Sequence, residues 1–254
     1  FLSFEGNTDM SALKSSLLTV IISVLVMLCT AILGKVIYRH REERKAKVFR
    51  YGLVNSNALF IGLPIIQSLL GDAGVLQLSM YMIFVRMFCW SYGLSLYTGV
   101  KSDWKGSFKR LLTHPCMIAA ALGVAAMVTG IRLPAFLDRT LQYVSSCLMA
   151  LSMLLIGVVL SEIKLKEVFR GDVWRFTALR LGVMPGIVFG LCKLCGVPYI
   201  VTATCTLVSG MPAASLTAVL AARYHGDSEL GALLVAVSTI LSAVTIPLWF
   251  MILQ

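Results

Sequence analysis

Asn55, Asn57, Gly62 and Pro64 fall within one apolar segment, Tyr51–Leu70, and Ser209, Gly210, Met211 and Pro212 fall within another, Ile200–Arg223. Each segment is long enough to span a bilayer, and each is hard to keep helical at its centre. Proline lacks an N–H, and its ring opposes the carbonyl four residues back, which for Pro64 is that of Phe60. Glycine adds backbone freedom beside it. Asparagine amides at mid-depth cost several kcal/mol unless something bonds them. A helix that breaks there starts again with unpaired N–H groups and a partial positive charge, which suits a carboxylate. Arg86 is a cation near the centre of a span. It either holds substrate charge or bonds backbone carbonyls and snorkels. Thr204, Thr206, Ser209 and Ser215 offer hydroxyls, either to a pocket or to neighbouring helices. All twelve acidic residues sit in loops or at span ends. The midplane therefore offers amides, hydroxyls and helix N-termini, which make a site for an anion. A carboxylate-based cation site or proton relay would keep an acid at depth.

The elements that position these residues are membrane spans. The 254 residues are 58% hydrophobic and 13% charged, with a mean hydropathy of +0.87. Soluble domains carry roughly 25% charged residues, so an all-α integral membrane protein is expected. Eight spans follow: Leu17–Tyr38, Tyr51–Leu70, Val75–Val100, Pro115–Gly130, Leu141–Leu160, Phe176–Cys195, Ile200–Arg223 and Gly231–Leu253. Seven cations lie between Lys35 and Arg50, four between Lys101 and Arg110, and Lys164, Lys166, Arg170 and Arg175 in a third loop. The loops between these are cation-poor. That is the positive-inside pattern, so the net charge of +10 reports topology and not a nucleic-acid partner. It puts both visible termini outside the cytoplasm, in a multi-pass plasma (inner) membrane protein. The seven cysteines lie in apolar segments, and Cys192-x-x-Cys195 reads as a buried, inert pair with neither metal nor cofactor. Gly182, Gly186 and Gly190 read as a helix-packing face, Pro185 and Pro247 as kinks, and Arg180 and Lys193 as snorkelling residues near the two ends of their span.

The two broken segments occupy corresponding places, each followed by Gly-Asp (Gly71-Asp72, Gly226-Asp227) and a further span. Paired interruptions of this kind point to a transporter's substrate site. Three spans precede the second broken helix after the 101–114 loop, but one precedes the first. Inverted repeats would then leave the first half two spans short, eight of ten being visible. A chain that starts at Phe1 fits that expectation.

The run from Asn57 through Gly62 to Pro64 resembles a motif of the auxin efflux carrier family. Gly210-Met211-Pro212-Ala213-Ala214, with Tyr224-His225-Gly226-Asp227, resembles that family's second signature. Pro115–Gly130 followed by Leu133-Pro134 resembles the start of its second repeat. Order, spacing and topology agree over nearly the whole chain, and the bacterial branch fits better than the plant carriers. The resemblance implies ten helices in two inverted five-helix repeats, with the broken helices crossing. Residues 1–100 would be helices three to five of a transport domain, 101–114 a cytoplasmic loop, 115–160 the scaffold helices six and seven, and 161–254 helices eight to ten. It implies a secondary transporter of a small organic acid, coupled to a proton or sodium and dimeric through its scaffold. The site would comprise Asn55, Asn57, Gly62, Pro64, Arg86, Ser209, Gly210, Met211 and Pro212. The plant carriers have an asparagine beside each crossing proline; this chain has Met211 before Pro212. Two other readings stand beside it, a non-transporting membrane sensor of the same fold and a sodium-coupled bile-acid-type carrier. A membrane-embedded enzyme would need a nucleophile–base pair or metal cluster at depth, and the three histidines lie near membrane edges.

Overall fold

The computed structural model describes residues 10–99, 134–161 and 170–254, together with 118, 122 and 125. The 101–114 loop and most of the span expected over 115–130 lie outside the described residues. Among the described residues the regular elements are helices joined by short turns and breaks, with one isolated antiparallel bridge pair.

Helix α1, Met10–Ile37, puts Leu17, Ile21, Leu25, Leu28 and Ile32 on an exposed face and Ser16, Thr19, Ser23 and Thr30 inside. In water that pattern would be inverted; against lipid tails it is the stable one. Thr19 Oγ1 donates to Gln77 Oε1 at 2.6 Å, tying α1 to the helix opposite. Helix α2, Glu43–Val54, starts in the cation cluster, where Lys47 hydrogen-bonds the Glu43 carboxylate and holds its pKa below the ordinary value. Four segments among the described residues are long and apolar enough to cross a membrane: Lys14–Ile37, Ala58–Thr98, Gly171–Leu194 and Ser228–Leu253. The second is two legs. Gly71, at φ 63° and ψ −158°, reverses the chain inside α3, Leu63–Phe88, at the turn expected from Gly71-Asp72. Helix α4, Leu94–Thr98, completes the second leg, and α5, Ala135–Ser161, covers the span expected at 141–160.

The first interruption lies earlier than the sequence suggested. Helix α2 stops at Val54, Asn55–Asn57 is not helical, and the chain resumes as a π-turn, Ala58–Gly62, that runs into α3 through Pro64. The widened turn absorbs the proline, with the Gly62 N–H reaching Asn57 O, five residues back, at 3.2 Å. The same device recurs before Pro185. Helix α6, Gly171–Ala178, passes through the π-turn Leu179–Val183 into α7, Met184–Leu194. Leu181 O, which loses its partner to Pro185, accepts from Trp249 Nε1 at 2.8 Å.

The second interruption falls where expected. Helix α8, Tyr199–Ser209, stops at Gly210, and α9, Leu216–Arg223, follows Ser215. Asp227 then caps α10, Ser228–Leu253, by accepting from the Leu230 N–H at 2.9 Å. At 1.5 Å per residue α2 and α8 are each about 17 Å long, roughly half a hydrocarbon core. Their ends therefore meet near mid-depth.

Three expectations are corrected. Of the glycine row, Gly186 packs on Trp249, while Gly182 and Gly190 meet no described residue. Arg180 does not snorkel; it is 2% exposed. Cys192 is buried but Cys195 is exposed.

Candidate functional site at the helix crossing

Each break strands backbone groups that must find partners in the absence of water. They find one another. Asn57 N–H donates to Pro212 O at 2.8 Å, and Ala214 N–H donates to Asn55 O at 3.0 Å. Together these make the Ser56–Ala213 bridge, two antiparallel strands of minimal length where the broken helices cross. Helix α10 adds a support, because Ser238 Oγ accepts from Ala213 N–H at 3.1 Å while its hydroxyl donates to Leu234 O at 2.6 Å. Beneath, Arg180 donates from Nε to Met211 O at 3.0 Å and from Nη1 to Leu53 O.

The second halves of both helices begin at a shared cavity of about 80 Å³. Its lining includes Asn55 and Asn57 from the first break with Leu59 and Phe60 from the turn after it, and Ala214 and Ser215 from the second break with Leu216 at the start of α9. Arg86 and Cys89 complete it from the second leg of the hairpin. Two helix N-termini, with their partial positive charge, thus open onto one space. Arg86 is half-buried there and makes no hydrogen bond or ion pair to a described residue. Asn55 Nδ2 donates to Tyr51 Oη at 3.0 Å, which in turn packs on Tyr97. Asn57 is 2% exposed, and its Nδ2 has no acceptor among the described residues. The described lining carries one cation and no carboxylate.

The expected residues are divided among three places. Asn55, Asn57 and Arg86 meet in the cavity. A Cβ at Gly62 would lie 3.5 Å from the Met211 side chain, and one at Gly210 would lie 3.3 Å from Pro185, so Gly62, Met211 and Gly210 shape the crossing from within. Ser209 turns back to Thr206 O at 2.8 Å, and Pro212 lends its carbonyl to Asn57. Pro64 faces away, lining a separate apolar groove with Ile246, Pro247 and Phe250 of α10. Arg180 and Ser238 at the crossing and Leu216 in the cavity lining were named by neither motif, whereas Ala214 ends the second motif and Ser215 is one of the hydroxyls read from the sequence. One further regularity binds the site together. Asn57 precedes the first π-turn, Arg86 lies just before the π-turn Cys89–Gly93, and Arg180 lies inside the π-turn Leu179–Val183. Such turns are rare and frequent at functional sites.

The family model for membrane transport proteins matches residues 1–108 and 103–250. The chain belongs to the membrane transport protein family. This is the auxin efflux carrier resemblance read from the two motifs. A protein of Methanocaldococcus jannaschii that bears the name uncharacterized transporter is 26% identical over 264 residues, covering 98% of this chain and 83% of its own length. A second uncharacterized transporter, from Methanothermobacter thermautotrophicus, is 27% identical over 240 residues, covering 92% of this chain and 78% of its own. As a member of the membrane transport protein family, the chain is a multi-pass membrane transporter and not an enzyme.

Proposed function

We propose that the chain is a secondary transporter of a small organic anion, a mono- or dicarboxylate, which it holds in the cavity beside the crossing and moves by alternating access. The observation that carries this reading is the Asn57 amide, buried without an acceptor among the described residues in a cavity whose described charged lining residue is Arg86. A buried donor left unpaired costs about 1–3 kcal/mol, which a carboxylate oxygen would relieve. Arg86 supplies the opposite charge: at about 4 Å and an effective dielectric near 20, a unit pair gains about 4 kcal/mol before desolvation is subtracted. The first turns at Ala58 and Leu216 add N–H groups for the second oxygen. Around this site we infer two inverted repeats, a scaffold over 115–160 through which two copies pair, and cation-rich loops on the cytoplasmic face of the plasma membrane. The test is a melting-shift screen of the purified protein over mono- and dicarboxylates, with Arg86→Gln run alongside. At least one carboxylate should raise the melting temperature of the wild type and leave the variant unmoved. If shifts are equal in both proteins, or come only from neutral solutes, the anion reading fails.

A further inference from the structure

Helices α2 and α8 end at the crossing, and each C-terminus carries roughly half a negative charge on its unpaired carbonyls. In carriers built on discontinuous helices, such ends and the unwound carbonyls beside them coordinate a sodium ion or a proton. Here a side chain has that place. Arg180 bonds Met211 O at 3.0 Å in one unwound segment and Leu53 O at the end of the other half-helix. One guanidinium thus bridges both broken helices, at 2% exposure, and neither bond is to a carboxylate. Burying a lone charge costs several kcal/mol; here the facing dipoles offset it, and arginine cannot shed its proton to escape. The arm itself is held. Its π-turn is pinned by the Trp249 indole on Leu181 O, and Gly210 is packed against Pro185 of the same helix.

We propose that the Arg180 guanidinium is a built-in cation of the crossing: it fills the carbonyl site where a dissociable alkali ion would bind and makes this carrier independent of sodium. A free ion would have to displace a charge tethered by a covalent chain. The inference concerns the helix C-termini and not the anion cavity, so it stands or falls apart from the carboxylate reading.

The test needs no substrate. Melting of the purified protein is recorded at fixed ionic strength in sodium, potassium, lithium or choline chloride, for the wild type and for Arg180→Gln, Arg180→Ala and Arg180→Lys. The four wild-type curves should coincide, as should those of Arg180→Lys, which keeps a tethered charge. The two neutral variants should melt lower in choline and recover in sodium or in millimolar guanidinium. A side chain that merely fills space would give a loss indifferent to the cation. A sodium-specific rise in the wild type overturns the proposal, and so do neutral variants that ignore every cation. Should neither neutral variant fold in choline, both are purified in sodium and in guanidinium, and failure in both counts against it as well.

Discussion

The two asparagines of the first break separate binding from stability, because the structure gives their amides opposite circumstances. In Asn57→Ala the crossing survives. Asn57 N–H on Pro212 O is a backbone bond, and Asn57 O still accepts from Ile61 and Gly62. The side-chain nitrogen has no acceptor among the described residues to lose. The stability of the ligand-free protein should therefore stay within about 1 kcal/mol of wild type. Binding should not. Losing a hydrogen bond to a charged partner costs about 1.5–3 kcal/mol, roughly a tenfold to hundredfold rise in Kd. Asn55→Ala does the reverse. It removes the 3.0 Å bond to the buried Tyr51 hydroxyl and should lower stability by about 1–3 kcal/mol, with the smaller effect on Kd. The assay is paired: calorimetric titration with the best carboxylate from the screen, and denaturant or thermal melting of the same preparations. An Asn57→Ala protein that binds like wild type while melting lower would refute the reasoning. It would mean that the amide is structural and that the cavity does not hold the anion.

Gly93→Ala should destabilise by about 1–3 kcal/mol by overpacking, since a Cβ there would lie 2.6 Å from the Tyr51 ring; thermal melting checks it, and Tyr51→Leu in the same chain should recover part of the loss. Trp249→Phe should cost about 1–3 kcal/mol by leaving Leu181 O without its donor, and the loss should shrink in a Pro185→Ala background, which returns an N–H to the helix; a double-mutant melting cycle reads the coupling. Ser238→Ala should cost about 1–3 kcal/mol through the orphaned Ala213 N–H, while Ser238→Thr keeps the acceptor and should lose less. Gly231→Ala, whose Cβ would meet the Ala218 backbone at 3.0 Å, should slow transport and lower the melting temperature together, as the helix after the second break is wedged off α10.

Among the described residues the spans, the turns at Gly71 and Gly226 and the second break were legible because each is written in local chemistry: apolar length, a glycine at the turn, and a glycine and a proline inside one helix. The first break was misplaced for a physical reason. Pro64 marks a point where an α-helix cannot continue, but a π-turn can carry the chain past it, and the bond from Gly62 to Asn57 O is not visible in residue types. The asparagines themselves were the better marker, since amides tolerate the non-helical backbone that Asn55 adopts. Arg180 was missed through an error of origin. Counted from Phe176 it lies near a membrane edge, but the helix starts at Gly171, which sets Arg180 about 14 Å in, near mid-depth. Asp172 and Arg175 looked like loop residues because they are charged, yet they form the helix's first turns. Nothing in the sequence states that Arg180 reaches across to Leu53, because the partner is a carbonyl and every residue has one.

The way the crossing is bonded bears on how a transporter of this kind can move. Separating the two broken helices would break Asn57 to Pro212, Ala214 to Asn55 and one of the two bonds of Arg180. With neutral bonds worth about 1 kcal/mol net and charge-assisted ones about 2, that is on the order of 4 kcal/mol, a state visited by roughly one molecule in 10³. Water could not readily take over those groups at mid-depth, so the true cost is higher. Opening the crossing is therefore a poor route to exposing a bound anion on the other side. On the anion reading proposed above, the crossing moves as one piece and the cargo keeps its contacts to Asn57 and Arg86. The charge that bonds the two helices, Arg180, is covalently tethered, and the charge assigned to the cargo, Arg86, makes no hydrogen bond or ion pair to a described residue.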